Sequence, residues 1–138
     1  MTSCAFCEVD SEDIQSRVIR KGQWSCSLVP KHHFRDGHVL VIPLRHVTEI
    51  GELTSDESVE MMSEVGRLAR RVDSGFGSGV MQKYQPLQHE NGIKMNHIHF
   101  HVFPRTEDEV VLFPVPEPNS FEGLEIVNDV AKIAEGLR

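Results

Sequence analysis

The segment His97-Ile98-His99-Phe100-His101-Val102-Phe103 carries an imidazole at every second position. On an extended strand, side chains alternate between faces, so the three histidines share one face and Ile98, Phe100 and Val102 share the other. The apolar face has an evident core role. The histidine face has three readings. It is a solvated polar face, although Thr, Lys, Glu or Ser more commonly fill such positions. It is a three-histidine zinc site of hydrolytic type. Or it is a phosphate site, where a neutral imidazole attacks phosphorus and its neighbours stabilise charge.

Cys4 and Cys7 form a second candidate group, a C-x-x-C pair. Its readings are a redox motif, half of a zinc site, or two idle thiols. No βαβ unit follows it, which argues against a thioredoxin-like role. Cys26 lies mid-strand and reads as a small core residue.

These groups need elements to hold them. Val18 to Pro30 alternates through Trp24, Cys26 and Leu28 around Lys21-Gly22, a hairpin pattern. Val39 to Ile42, closed by Pro43, is a buried central strand. Thr54-Ser55-Asp56-Glu57 is a capping box. It predicts a helix over about 55–72 with Val59, Met62, Val65, Ala69 and Val72 on its apolar side. Gly75, Gly77 and Gly79 predict a loop, Val80 to Tyr84 a strand, and 85–96 a polar loop. The prolines at 114, 116 and 118 exclude a long element there. Ser120 caps a last helix, from about residue 120, presenting Phe121, Leu124, Val127, Val130, Ala134 and Leu137 on one face. This order predicts one antiparallel α+β domain spanning residues 1–138.

Two stretches together resemble a known family. His97-Ile98-His99-Phe100-His101-Val102-Phe103 resembles the histidine triad (HIT) signature, and Gly37-His38-Val39-Leu40-Val41-Ile42-Pro43-Leu44-Arg45-His46 resembles that family's second landmark. Pro104-Arg105 after the triad is also similar to the family, and the likeness runs in order over about residues 4–105. The resemblance implies a five-stranded antiparallel sheet with two helices, a homodimer, and hydrolysis or transfer of nucleotidyl groups. It implies His99 as the nucleophile forming a phospho-histidine, His101 as a phosphate contact, and His38 as a residue that orders the site. In zinc-binding members of the family, the pattern matches Cys4, Cys7, His46 and His97, a closed structural site.

Two positions depart from the family pattern. Many members carry Gly-Gln-Ser or Gly-Gln-Thr shortly before the triad, where this chain has Gly92-Ile93-Lys94-Met95-Asn96. Lys94 offers a positive charge there, and Asn91 belongs to a polar loop that either lines the substrate pocket or faces solvent. Many nucleotide-binding members place Asp or Asn eight residues before His38, where this chain has Pro30, which lacks a polar side chain. Two alternatives therefore stand beside the enzyme reading. One is a nucleotide-binding module with vestigial activity, the other a metal-dependent hydrolase using the triad as ligands.

Composition narrows the partners. With 21 acidic against 14 basic residues and a net charge of -7, the chain has no broad basic footprint for duplex nucleic acid. A small nucleotide or other phosphate substrate remains compatible. The N-terminal stretch has no basic-then-apolar pattern of a secretory signal, and no apolar run approaches the roughly 20 residues that span a bilayer. Three cysteines suit a reducing compartment, so a cytoplasmic location is the expectation.

Overall fold

In a computed structural model, residues 4–30, 36–83, 97–106 and 130–138 are described. Five strands form one sheet: β1 (Val18–Lys21), β2 (Ser25–Leu28), β3 (Val39–Pro43), β4 (Ser78–Lys83) and β5 (His99–Pro104). Their order is β1-β2-β3-β5-β4, with antiparallel neighbours throughout. The helices are α1 (Glu12–Gln15), α2 (Ser55–Arg71) and α3 (Val130–Leu137), with 3-10 turns at Ala5–Cys7 and Ile50–Glu52. The α+β class with a five-stranded antiparallel sheet is as expected.

The strand period sorts the two faces. Val39, Val41, Ile98, Phe100 and Val102 bury against Met61, Val65 and Leu68 of α2, Val72 at its C-terminal end and Ala134 of α3. Cys26, Leu28, Leu40 and Ile42 point the other way and bury against Phe6, Val9, Ile14 and Val18. The lead-in segment is thus a cover for the second face. Ser11 caps its short helix by accepting the Ile14 N–H. Burial pushes the Cys26 thiol up to about 12, which agrees with an inert core role.

Helix α2 begins at the expected capping box. The Thr54 hydroxyl accepts the Glu57 N–H, and the Glu57 carboxylate accepts the Thr54 N–H. The expected apolar stripe is partly wrong. Val59 and Met62 are 68% and 45% exposed, whereas Met61 and Leu68 are buried with Val65 and Val72. The displaced stripe has a physical reason: Glu57, Glu60 and Glu64 recur at helical spacing and turn inward to meet polar groups. Glu60 accepts the Gln23 and Trp24 N–H groups and the Ser25 hydroxyl at the β1–β2 turn. Glu64 accepts the Ser27 hydroxyl and pairs with Arg67. Arg67 and Arg71 donate to the Leu137 and Arg138 carbonyls, and Arg138 donates to Val18 O. These bonds tie α2, α3 and β1 together.

Gly79 lies inside β4, not in a loop. It pairs with Phe103, and a methyl group in place of its hydrogen would run into the Phe103 ring. Trp24, read as alternating with Cys26 and Leu28 along a strand, lies just before β2 and is exposed at the hairpin turn. Of the expected last helix, Val130–Leu137 is helical with Ala134 buried, and Ser120 to Val127 lie outside the described residues. No described helix is long and apolar enough to cross a membrane.

Candidate functional site

The triad histidines and His38 are not solvated, whereas His46 is exposed. His97, His99, His101 and His38 are 0, 5, 8 and 4% exposed, which removes the polar-surface reading. The strand begins at His99 rather than His97. At the preceding bend, Ile98 N–H donates to Val47 O at 2.7 Å, so His97 is set beside the segment after β3 rather than in the strand ladder. The three imidazoles therefore divide between two neighbouring groups.

The first group contains His97 and both N-terminal cysteines. The 3-10 turn, closed by Cys7 N–H to Cys4 O at 3.1 Å, brings the two sulfurs together. Cys4 Sγ lies 3.4 Å from His97 Nδ1, and Cys7 Sγ lies 3.6 Å from His97 Nδ1 and 3.1 Å from His46 Nδ1. All four ligand atoms fall within 4.8 Å of one another. Ligands about a tetrahedral zinc are spaced sulfur to nitrogen by about 3.5 Å, so the donor set and its spacing fit a metal ion. His97 Nε2 donates to Pro43 O at 2.7 Å, which puts the lone pair on Nδ1, facing the sulfurs. Burial lowers the His97 pKa and favours this neutral form. Local desolvation, then the hydrogen bond and charge of Cys4, push the Cys7 thiol up to about 11. Cys7 therefore ionises readily only with a cation to compensate it.

His46 owes its place to α2. Arg45 donates to both Glu57 carboxylate oxygens, at 3.1 and 2.9 Å, and to Glu52 O at 2.8 Å. The carboxylate that caps the helix thereby fixes the residue next to His46. Val47, which follows His46, bonds Ile98, which follows His97. One backbone hydrogen bond thus keeps the two imidazoles side by side.

The second group contains His99, His101 and His38. His99 Nδ1 donates to His97 O at 2.8 Å. A carbonyl only accepts, so the proton of the neutral ring sits on Nδ1 and the lone pair falls on Nε2. His101 stands beside it, ring centroids 5.0 Å apart. Register pairs Leu40 with His101, which sets His38 on the same face. His38 Nε2 and His101 Nδ1 are 2.7 Å apart. One of these nitrogens must donate and the other accept, so this contact admits at most one cation across the pair. The group thus holds an imidazole with a defined lone pair next to a hydrogen-bonded imidazole pair.

All seven histidine and cysteine positions singled out from sequence therefore converge, four in one cluster and three in the next. Lys94 and Asn91 lie outside the described residues. Sequence reasoning missed Phe6, whose ring meets both His97 and His99 edge-on, with centroids at 5.8 and 5.5 Å. Its only signal was its place between the two cysteines. It also missed the Arg45–Glu57 pair, although Glu57 was visible as a capping residue.

Residues 11–108 match the HIT domain family. An adenosine 5'-monophosphoramidase of Schizosaccharomyces pombe is 30% identical over 110 residues, 78% of this chain and 77% of that protein. An AP-4-A phosphorylase of Mycobacterium tuberculosis is 28% identical over 98 residues, 67% of this chain and 48% of that protein. Among solved structures, a Zn-bound histidine triad family protein from Mycobacterium smegmatis superposes with a TM-score of 0.64 at 22% identity, covering 98% of this chain and 92% of that one.

Proposed function

Because this chain belongs to the HIT domain family, we propose that it hydrolyses or transfers nucleotide-type phosphoryl groups through a covalent intermediate on His99. The observation that carries this reading is the His99 Nδ1–H bond to His97 O. It prepares Nε2 as the attacking atom at no further cost in ring orientation. The names of the two relatives support a substrate with a nucleotide on phosphorus.

In the proposed reaction, Nε2 attacks phosphorus in line. The Nε2–P bond forms as the bond from phosphorus to the leaving group breaks, and the leaving group departs with the electron pair and takes up a proton. Water, or another acceptor, then attacks the same phosphorus and loses its own proton. The Nε2–P bond breaks and the lone pair returns to Nε2. His101 contacts the phosphate oxygens, and His38, bonded to His101, orders it; clustered donors of this kind stabilise the charge that develops at phosphorus. Lys94 and Asn91 are assigned to the substrate on sequence grounds. Pro30 leaves the ribose without the usual carboxylate or amide partner, so recognition rests more heavily on the phosphate end.

The Cys4, Cys7, His46 and His97 cluster is read as a structural zinc site. Its support is the donor set, the spacing and the Zn-bound structural neighbour. Bound there, zinc would cross-link the N-terminal turn to the segments after β3 and before β5. The low cysteine count keeps a cytoplasmic setting as the proposal. A homodimer formed through β4 and α2 is the proposed assembly of this single domain. β4 ends the sheet, and Val80, Val59 and Met62 are exposed on these elements.

Incubation with a labelled nucleoside phosphoramidate or dinucleoside polyphosphate tests the reading. Turnover and an acid-labile, base-stable adduct are expected for the wild type, and neither for His99→Ala. Absence of both turnover and adduct in the metal-loaded wild type, across a broad panel of such phosphates, overturns it. Tight nucleotide binding without turnover, unchanged in His99→Ala, favours the binding module instead.

A further inference from the structure

Phe6 belongs to neither histidine group, yet it touches both. It lies within the Ala5–Cys7 turn, between the two candidate sulfur ligands. Its buried ring packs among Val9, Ile14, Val18, Cys26, Leu28, Leu40 and Ile42 on the histidine side of the sheet. It meets His97 at an interplanar angle of 88° and His99 at 74°. His101 meets His99 at 61°. The His99 ring is thus flanked by Phe6 and His101, while its Nδ1–H is held by His97 O. The hydrogen bond fixes the tautomer only while the ring keeps this orientation. Rotation about the side-chain torsions would break it and let the proton redistribute between the nitrogens.

We propose that Phe6 is a positioning residue that couples the Cys4–Cys7 turn to His99. The proposal rests on the functional reading above. When the cluster is loaded, the turn is pinned, Phe6 stays edge-on to both imidazoles, and His99 keeps its lone pair on Nε2. When the turn is released, Phe6 withdraws its edge, and His99 samples other orientations. Edge-to-face ring contacts are directional, so an aliphatic side chain of similar volume fills the space without reproducing the restraint.

The test compares Phe6→Leu with Val9→Ala. Val9 shares the apolar cluster but belongs to neither histidine group. The zinc-loaded proteins are labelled with nitrogen-15 histidine, and the His99 ring resonances are read at mildly alkaline pH. The wild type is expected to show a single Nδ1–H tautomer. Phe6→Leu is expected to show a tautomer mixture with metal content retained, and a kcat roughly tenfold lower at unchanged KM. Val9→Ala is expected to keep the tautomer and kcat even where it melts at a lower temperature. Chelation of the wild type is expected to shift the same His99 resonances. The proposal falls if Phe6→Leu keeps both tautomer and kcat, if Val9→Ala disturbs them equally, or if chelation leaves the His99 resonances in place. Should the wild type turn over no phosphate tested, the functional reading fails alone, because the resonances still decide what Phe6 does.

Discussion

At His99 a single backbone carbonyl selects which nitrogen bears the lone pair, and at His97 another does the same for the opposite nitrogen. Two histidines two residues apart thereby receive opposite tautomers, one suited to a metal and one to phosphorus. His99→Ala should lower turnover by roughly a thousandfold or more. It should leave bound metal and melting temperature near wild type, since the ligand set does not include it. Steady-state kinetics beside metal analysis checks both halves. Cys4→Ser should do the reverse at the level of structure. Bound zinc is lost on dialysis and the melting temperature drops, because the turn that covers the sheet is no longer cross-linked. Retention of stoichiometric zinc in that variant would remove Cys4 from the ligand set.

Among the elements, α2 does more than bury an apolar stripe. Glu57, Glu60, Glu64, Arg67 and Arg71 follow one another along its length and reach Arg45, the β1–β2 turn, Ser27 and the C-terminal carbonyls in that order. The helix is a polar spine that fixes the segment bearing His46. Thr54→Ala removes the cap and should cost about 1 kcal/mol in denaturant unfolding. Gly79→Ala is expected to cost more, about 1–3 kcal/mol, because its new methyl must displace the Phe103 ring within the β4–β5 pair. Equal stability of Gly79→Ala and wild type would show that the ring moves freely.

For the whole molecule, two buried carboxylates govern acid stability. Hydrogen bonds from Arg45, then from Thr54, hold Glu57 below the ordinary carboxylate value of 4.5 despite its burial. Burial works to raise Glu64, but hydrogen bonds from Arg67 and Ser27 outweigh it and leave it lowered as well. A depressed folded-state pKa means that the unfolded chain binds protons first. The stabilisation is therefore complete above the unfolded value and is lost as pH falls through the folded ones. Unfolding free energy should decline below about pH 4.5, and Glu57→Gln and Glu64→Gln should flatten that decline in denaturant titrations across pH. Assembly belongs to this scale too. Were the proposed dimer to form through β4, Val80→Lys would place charge on that edge strand and should yield monomers in sedimentation experiments, with the fold intact.

Periodicity of two along a strand was enough to separate Ile98, Phe100 and Val102 from the three histidines, because alternation is local geometry. A capping box located the start of α2 for the same reason. The motif resemblance also named four residues, Cys4, Cys7, His46 and His97, whose ligand atoms the fold brings within 4.8 Å of one another. The sequence misassigned Val59 and Met62, since a helix's inward face is chosen by its partners, and here those partners are polar groups of β2 and the β1–β2 turn. It placed Gly79 in a loop, because the need for a small residue arises only when Phe103 arrives from a distant strand. The resemblance gave His97 and His99 different expected roles, but their tautomers were decided by tertiary structure alone. Tautomers depend on which carbonyl each ring reaches, and those carbonyls are set by the chain's path between Val47 and Ile98.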